Sequence, residues 1–116
     1  MAQEHFVLIV SDRPDQARVL VRGMIRIIPA RVTGPRSGLP AEIPLVALID
    51  LADEGEARRW LKQLHDLRVA CLYLERTEAA DPKDAAHPVG ATRALAAGAV
   101  RPTILNALFD LIDAVR

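Results

Sequence analysis

Cysteine is almost missing from this chain. Cys71 is the only one, so no disulfide can form within the molecule, which suits a reducing compartment. It lies in the apolar run Val69 to Leu74, a setting that favours a buried structural thiol over a reactive one. Lysine is nearly as scarce. Lys62 and Lys83 are the only two, and the other basic residues are arginines, which together with abundant alanine reads as a GC-rich coding bias. Net charge is absent as well, with 15 basic residues against 15 acidic. That balance argues against a surface that recruits nucleic acid or membrane through bulk electrostatics. No apolar run approaches the roughly 20 residues that span a bilayer. The N-terminal residues Met1 to His5 lack the basic stretch and apolar segment of a secretory signal. A cytoplasmic protein is expected.

Recognisable catalytic patterns are lacking too. His5, His65 and His87 are far apart, and none is paired with cysteine or aspartate at a ligand spacing, so no zinc site is expected. The segment Gly34 to Gly38 lacks the Gly-Lys-Ser/Thr that makes a phosphate-cradling loop convincing, and no nucleophile elbow occurs. Nothing indicates an enzyme. There is no internal repeat, low-complexity tract or linker, and 116 residues suit one domain, 1–116. Hydrophobic residues make up 51% of the chain, enough to fold without disulfide or metal support.

Short apolar runs alternate with amphipathic stretches. Phe6 to Val10, Leu45 to Ile49 and Val69 to Leu74 read as strands buried on both faces; Ala30 to Thr33 and Thr92 to Ala97 read as weaker strands. A helix is predicted from Pro14, with Asp12 as its N-cap, to about Arg26, presenting Ala17, Leu20, Val21, Met24 and Ile28 on one face. A second should span Glu54 to Leu67 with Ala57, Trp60, Leu61 and Leu64 inward. A last one should run over Ile104 to Val115, opened by Pro102 or Thr103. The polar segment Thr77 to His87 has room for a short helix. Strand–helix alternation implies a parallel sheet with right-handed crossovers and helices on both faces. Function then collects at the carboxyl ends of the strands. Three acids stand there, Asp12, Asp50 and Glu75, each directly after an apolar run. Such a rim can hold a hard cation through oxygen ligands; solvated loop acids and helix caps are the plainer reading. The arginines at 13, 18, 22 and 26 line one helix face with charge, by default a solvated face.

In order and spacing the chain resembles the receiver domains of bacterial response regulators. The stretch Phe6 to Asp15 resembles that family's first strand and acidic pair. Pro44 to Leu51 resembles the third strand with its phospho-accepting aspartate. Ala99-Val100-Arg101-Pro102-Thr103-Ile104-Leu105 resembles the exit of the last strand and the final helix, as in receivers attached to hybrid histidine kinases. The resemblance implies a flavodoxin-like (CheY-like) three-layer α/β/α fold, a five-stranded parallel sheet in the order 2-1-3-4-5. It makes Asp50 the phosphoacceptor, with Asp12, Asp50 and the Ala52 carbonyl as magnesium ligands. The departures are as informative. Ser11 replaces the first acid of the pair. Glu75 stands where the family has a hydroxyl, and a carboxylate there repels a phosphoryl group. Gly98 takes the lysine position; a shifted register would give it to Arg101, whose rigid guanidinium is not equivalent to an ammonium. The stretch between Thr33 and Pro44, rich in proline and glycine, cannot readily form the family's second helix.

The expected function is therefore that of a degenerate receiver, working by protein–protein interaction with at most weak magnesium binding. Two alternatives stay open: a receiver that still takes phosphate on Asp50, and a sensor of a cyclic dinucleotide. The partner expected is a histidine kinase or another signalling protein. A homodimer could form through the family's fourth helix, fifth strand and fifth helix, where Leu105 and Phe109 on the final helix are the candidate contacts.

Overall fold

A computed structural model describes residues 5–24, 28–74, 93–95 and 101–115 of the chain. The expected alternation is realised as β1 (Val7–Ser11), α1 (Pro14–Met24), β2 (Ala30–Thr33), β3 (Val46–Asp50), α2 (Glu54–Asp66), β4 (Ala70–Leu74), β5 (Arg93–Leu95) and α3 (Arg101–Val115). The strands form one sheet in the order β2-β1-β3-β4-β5, and every pairing is parallel. This is the flavodoxin-like order expected from the sequence. The register puts Ser11 opposite Asp50, so the ends of β1 and β3 finish level with each other.

Continuous burial of β1 and β3 explains their unbroken apolar runs, because each has helices over both faces. Alternate residues of the strands divide into two cores. Val7, Ile9, Val46, Leu48, Leu72 and Leu74 point toward α1 and α3, meeting Leu20, Met24, Leu108 and Ile112. Leu8, Val10, Ala47, Ile49 and Cys71 point the other way, toward Ala57, Trp60, Leu61 and Leu64 of α2. These four α2 residues are the ones the helical spacing assigned inward.

Between Thr33 and Leu45 there is no helix, only a turn closed by the Ser37 N–H on the Gly34 carbonyl and an irregular return to β3. The segment is pinned from α2: Trp60 Nε1 donates to the Pro35 carbonyl at 2.9 Å and Arg59 Nη2 donates to the same oxygen at 3.0 Å.

Helix α2 is defined at both ends. Asp53 is the N-cap, its Oδ1 accepting from the Glu56 N–H at 3.0 Å. At the other end Arg68 takes a left-handed conformation, φ 61°, and the Arg68 and Val69 N–H groups return to the carbonyls of His65 and Leu64. This is a Schellman closure made without its usual glycine. Asp12 does not cap α1 as the sequence suggested. Arg13 holds the cap position, its carbonyl accepting from the Ala17 N–H, and Asp12 is engaged elsewhere.

Cys71 is fully buried, and burial pushes its thiol up to about 12. Because the thiolate is the reactive form, Cys71 should resist a thiol-alkylating reagent at neutral pH and react fully in denaturant, which mass analysis reads directly. Rapid labelling of the folded protein would show that β4 opens locally. The same burial lowers stability in alkali: above the ordinary value of 9.0 the unfolded chain ionises while the folded chain keeps its proton.

Candidate functional site

The rim formed by the ends of β1 and β3 brings together Ser11, Asp12, Arg13, Asp50 and Ala52. Parallel pairing causes this, since it places both strand ends on one edge. Asp50 is buried, with 2% of its surface exposed. Both of its oxygens are taken. Ser11 Oγ donates to Oδ2 at 2.9 Å. Arg13 lays its guanidinium across the carboxylate, Nη2 donating to Oδ1 at 2.9 Å and Nε to Oδ2 at 3.4 Å. Ser11 Oγ also accepts from the Arg13 N–H at 2.9 Å, which fixes the backbone from which that side chain departs. The fork geometry of arginine suits such a two-point contact.

The sequence reading missed Arg13 in this role and placed it on the solvated face of α1. It precedes the first helical residue, so its side chain is not bound to the helical stripe and folds back over the end of β3. The signal available was its position, between the loop acid Asp12 and the helix-opening Pro14.

Asp12 lies at the same rim but exposed, and its Oδ2 accepts from the Ala52 N–H at 3.0 Å, tying the loop after β1 to the loop after β3. Glu75 and Gly98 lie outside the described residues. Among the described ones no group of three or more His, Cys, Asp or Glu could hold a metal ion. The ligand set expected from Asp12, Asp50 and Ala52 does not fit a divalent cation in this arrangement. The monovalent cation of Arg13 already sits on the Asp50 oxygens, and a metal there would face it at close range. Unit charges about 4 Å apart interact by about 4 kcal/mol at the effective dielectric typical of such sites, so that attraction must be replaced before an ion can enter.

Arg101 opens α3 and, with Arg13, Asp50 and Gln16, walls a cavity of 180 Å3. Leu105 and Phe109 are half-buried, packed on the core beneath α1 and α3, and they border a larger groove between those helices together with Val19 and Gly23. This places them on the α1 side of α3. Lys62 is exposed on α2, away from the rim.

No family model and no curated protein matches the chain. Solved structures do. The chain is similar to the signal receiver domain of a signal-transduction histidine kinase from Syntrophus aciditrophicus, with 22% identity over 97% of this chain and 92% of that one and a TM-score of 0.75. A CheY-like response-regulator receiver domain from Methanospirillum hungatei is 16% identical over 97% and 96%, with a TM-score of 0.74. The receiver domain of a sensor histidine kinase from Pseudomonas aeruginosa, described with a magnesium ion coordinated in its active-site cleft, is 16% identical over 96% and 99%, with a TM-score of 0.62. The chain thus has the receiver-domain fold.

Proposed function

We propose that this chain is a pseudo-receiver of two-component signalling, a non-enzymatic module that works by binding other proteins and not by efficient phosphorylation. The observation that carries this reading is the Arg13–Ser11 clasp on Asp50. Phosphoryl transfer to a carboxylate needs a free oxygen for in-line attack and positive charge placed on the incoming group. Here the charge is on the nucleophile, where it lowers nucleophilicity and holds the oxygens in place. The sequence adds Glu75 for the hydroxyl and Gly98 for the lysine, so three parts of the transfer machinery are changed together. In this reading no resident cofactor is needed and magnesium binding is weak at most, unlike the magnesium-coordinating cleft of the Pseudomonas domain.

The partner we infer is a histidine kinase or another cytoplasmic signalling protein, or a second copy of the chain, met through the α3 surface that carries Leu105 and Phe109. Neither nucleic acid nor membrane enters the proposal; no helix among the described residues is long and apolar enough to cross a membrane.

The reading is tested by incubating the protein with magnesium and a small phosphodonor and measuring intact mass. Essentially unmodified protein is expected. A phosphoryl adduct that disappears in Asp50→Asn would contradict the proposal and make the chain a working receiver.

A further inference from the structure

Helix α3 carries charge against its own dipole. A helix favours acids near its N-terminus and bases near its C-terminus. Arg101 is the first residue of α3, no acid stands in the first turn, and the last turn holds Asp113 and no base. Both residues are exposed, and among the described residues neither forms an ion pair. Between them Leu105 and Phe109 pack on the core but stay only half-buried. Arg101, Leu105, Phe109 and Asp113 are spaced by four, so they make one ridge of the helix.

We propose that this ridge pairs antiparallel with the same ridge of a second copy of the chain, in a two-fold dimer over the groove between α1 and α3. The inference rests on the interaction reading and deepens it by naming the partner of the α3 surface.

The ridge is complementary to itself. Along α3 it runs cation, apolar, apolar, anion, and the antiparallel copy runs anion, apolar, apolar, cation. Under a two-fold axis every contact from one residue to another recurs in reverse. With the axis level with Ala107, Arg101 meets the partner's Asp113 and Leu105 meets the partner's Phe109, each pair made twice. A parallel copy would set Arg101 against Arg101 and Asp113 against Asp113, which is repulsive. The antiparallel arrangement also corrects the dipole mismatch, because it brings a carboxylate to the N-terminus of each α3 and a guanidinium to each C-terminus.

The groove receives the partner's apolar residues. Its volume is 640 Å3, with Val19 and Gly23 on the α1 wall and Leu105 and Phe109 on the α3 wall. Val19 is 39% exposed there. At Gly23 the two helices approach so closely that a Cβ would stand 2.8 Å from Leu105 Cδ1, so the groove has a low floor at this point. Arg22 and Arg101 line the groove and no acid among the described residues does, which suits the partner's Asp113. Ridges of this kind interdigitate at a crossing angle of about −50°. Two crossing helices cover less than the roughly 1,600 Å2 of a standard interface, so the dimer is a weak one that follows protein concentration. Its ion pairs lie at the rim of the contact, where salt screens them.

The test is sedimentation equilibrium of the full chain over about a hundredfold range of concentration, at low and high salt. Wild type is compared with Arg101→Asp, Asp113→Arg, an equal mixture of these two variants, and the double variant. Both positions are exposed, and each substitution places charge in accord with the helix dipole, so α3 should be no less stable in the variants. Wild type should form dimers that weaken with salt. Each single variant alone should associate about tenfold or more weakly, because every ion pair becomes a like-charge pair. The mixture should recover association, since the two variants present opposite charges to each other at both ends, and the double variant should recover it alone. Wild type that stays monomeric throughout would overturn the proposal. So would dimers undiminished in the single variants, or a mixture that associates no better than its components. The phosphodonor experiment judges the interaction reading separately: protein that is unmodified but monomeric would remove the dimer and leave that reading in place.

Discussion

Trp60→Ala should destabilise the domain by about 3–5 kcal/mol, the range for truncating a large buried aromatic. Domains of this kind have total stabilities of about 5–15 kcal/mol, so the variant should lose a large share of its stability, and nearly all of it if the total lies at the low end of that range. Two losses combine. Trp60 is among the largest fully buried side chains and sits in the core between α2 and the sheet. Its indole N–H also holds the Pro35 carbonyl, the anchor of the segment that stands where other receiver folds place a helix. Trp60→Phe separates the two effects. It keeps most of the ring volume and leaves Pro35 to Arg59 alone, so about 1–2 kcal/mol is expected. Urea denaturation followed by far-ultraviolet circular dichroism measures both. An alanine variant within about 1 kcal/mol of wild type would mean that the loop and α2 do not depend on this contact.

Arg13→Met should cost about 1–3 kcal/mol while leaving the fold intact. The substitution keeps the apolar stem and removes the guanidinium, so Asp50 stays buried, still accepting from the Ser11 hydroxyl, but without the arginine's charge. Breaking a fully buried pair costs about 3–5 kcal/mol, and exposed pairs are worth less than about 1 kcal/mol. The clasp falls between them, with one partner buried and the other 38% exposed. Asp50→Asn should cost less, because the amide keeps the shape and an acceptor for arginine. The double variant should be more stable than the sum of the single losses predicts, with a coupling of about 1 kcal/mol or more. Denaturant midpoints at constant slope supply the cycle. Strict additivity would show that Arg13 and Asp50 do not stabilise each other.

Much of the fold was legible in the sequence for a simple reason. Burial on both faces forces strands such as Val7–Ser11 and Val46–Asp50 to be apolar throughout, and helical burial forces the spacing of Ala57, Trp60, Leu61 and Leu64. Both are periodic signals. The Gly and Pro content after Thr33 is equally direct, because those residues remove the conformational uniformity and the N–H donors that a helix requires. The ends of elements were less legible. Arg68 closes α2 in a left-handed conformation with no glycine to mark it, and the cap of α1 fell to Arg13 and not to Asp12. The site was half visible. Parallel topology makes the ends of β1 and β3 a rim, so Asp12 and Asp50 could be placed there from order alone. The clasp could not. A long arginine side chain leaving a non-helical residue has no periodicity, and its direction is set by a Ser11 hydroxyl that serves two partners at once. Ser11 read in sequence as a lost acid; in the structure it is the hydroxyl that joins Asp50 to the backbone of Arg13.

The proposed replacement of a metal by Arg13 at Asp50 is tested most directly by titrating magnesium into the wild-type protein and into Arg13→Met, following the amide resonances of Ser11, Asp12, Asp50 and Ala52. With Arg13 present, millimolar magnesium should produce no saturable shift of these amides beyond the effect of ionic strength. Removing the guanidinium should expose the Asp50 oxygens beside Asp12 and raise magnesium affinity about tenfold or more. Saturable binding by the wild-type protein as tight as that of the variant would contradict the assignment, because it would mean that the metal and Arg13 do not compete for Asp50.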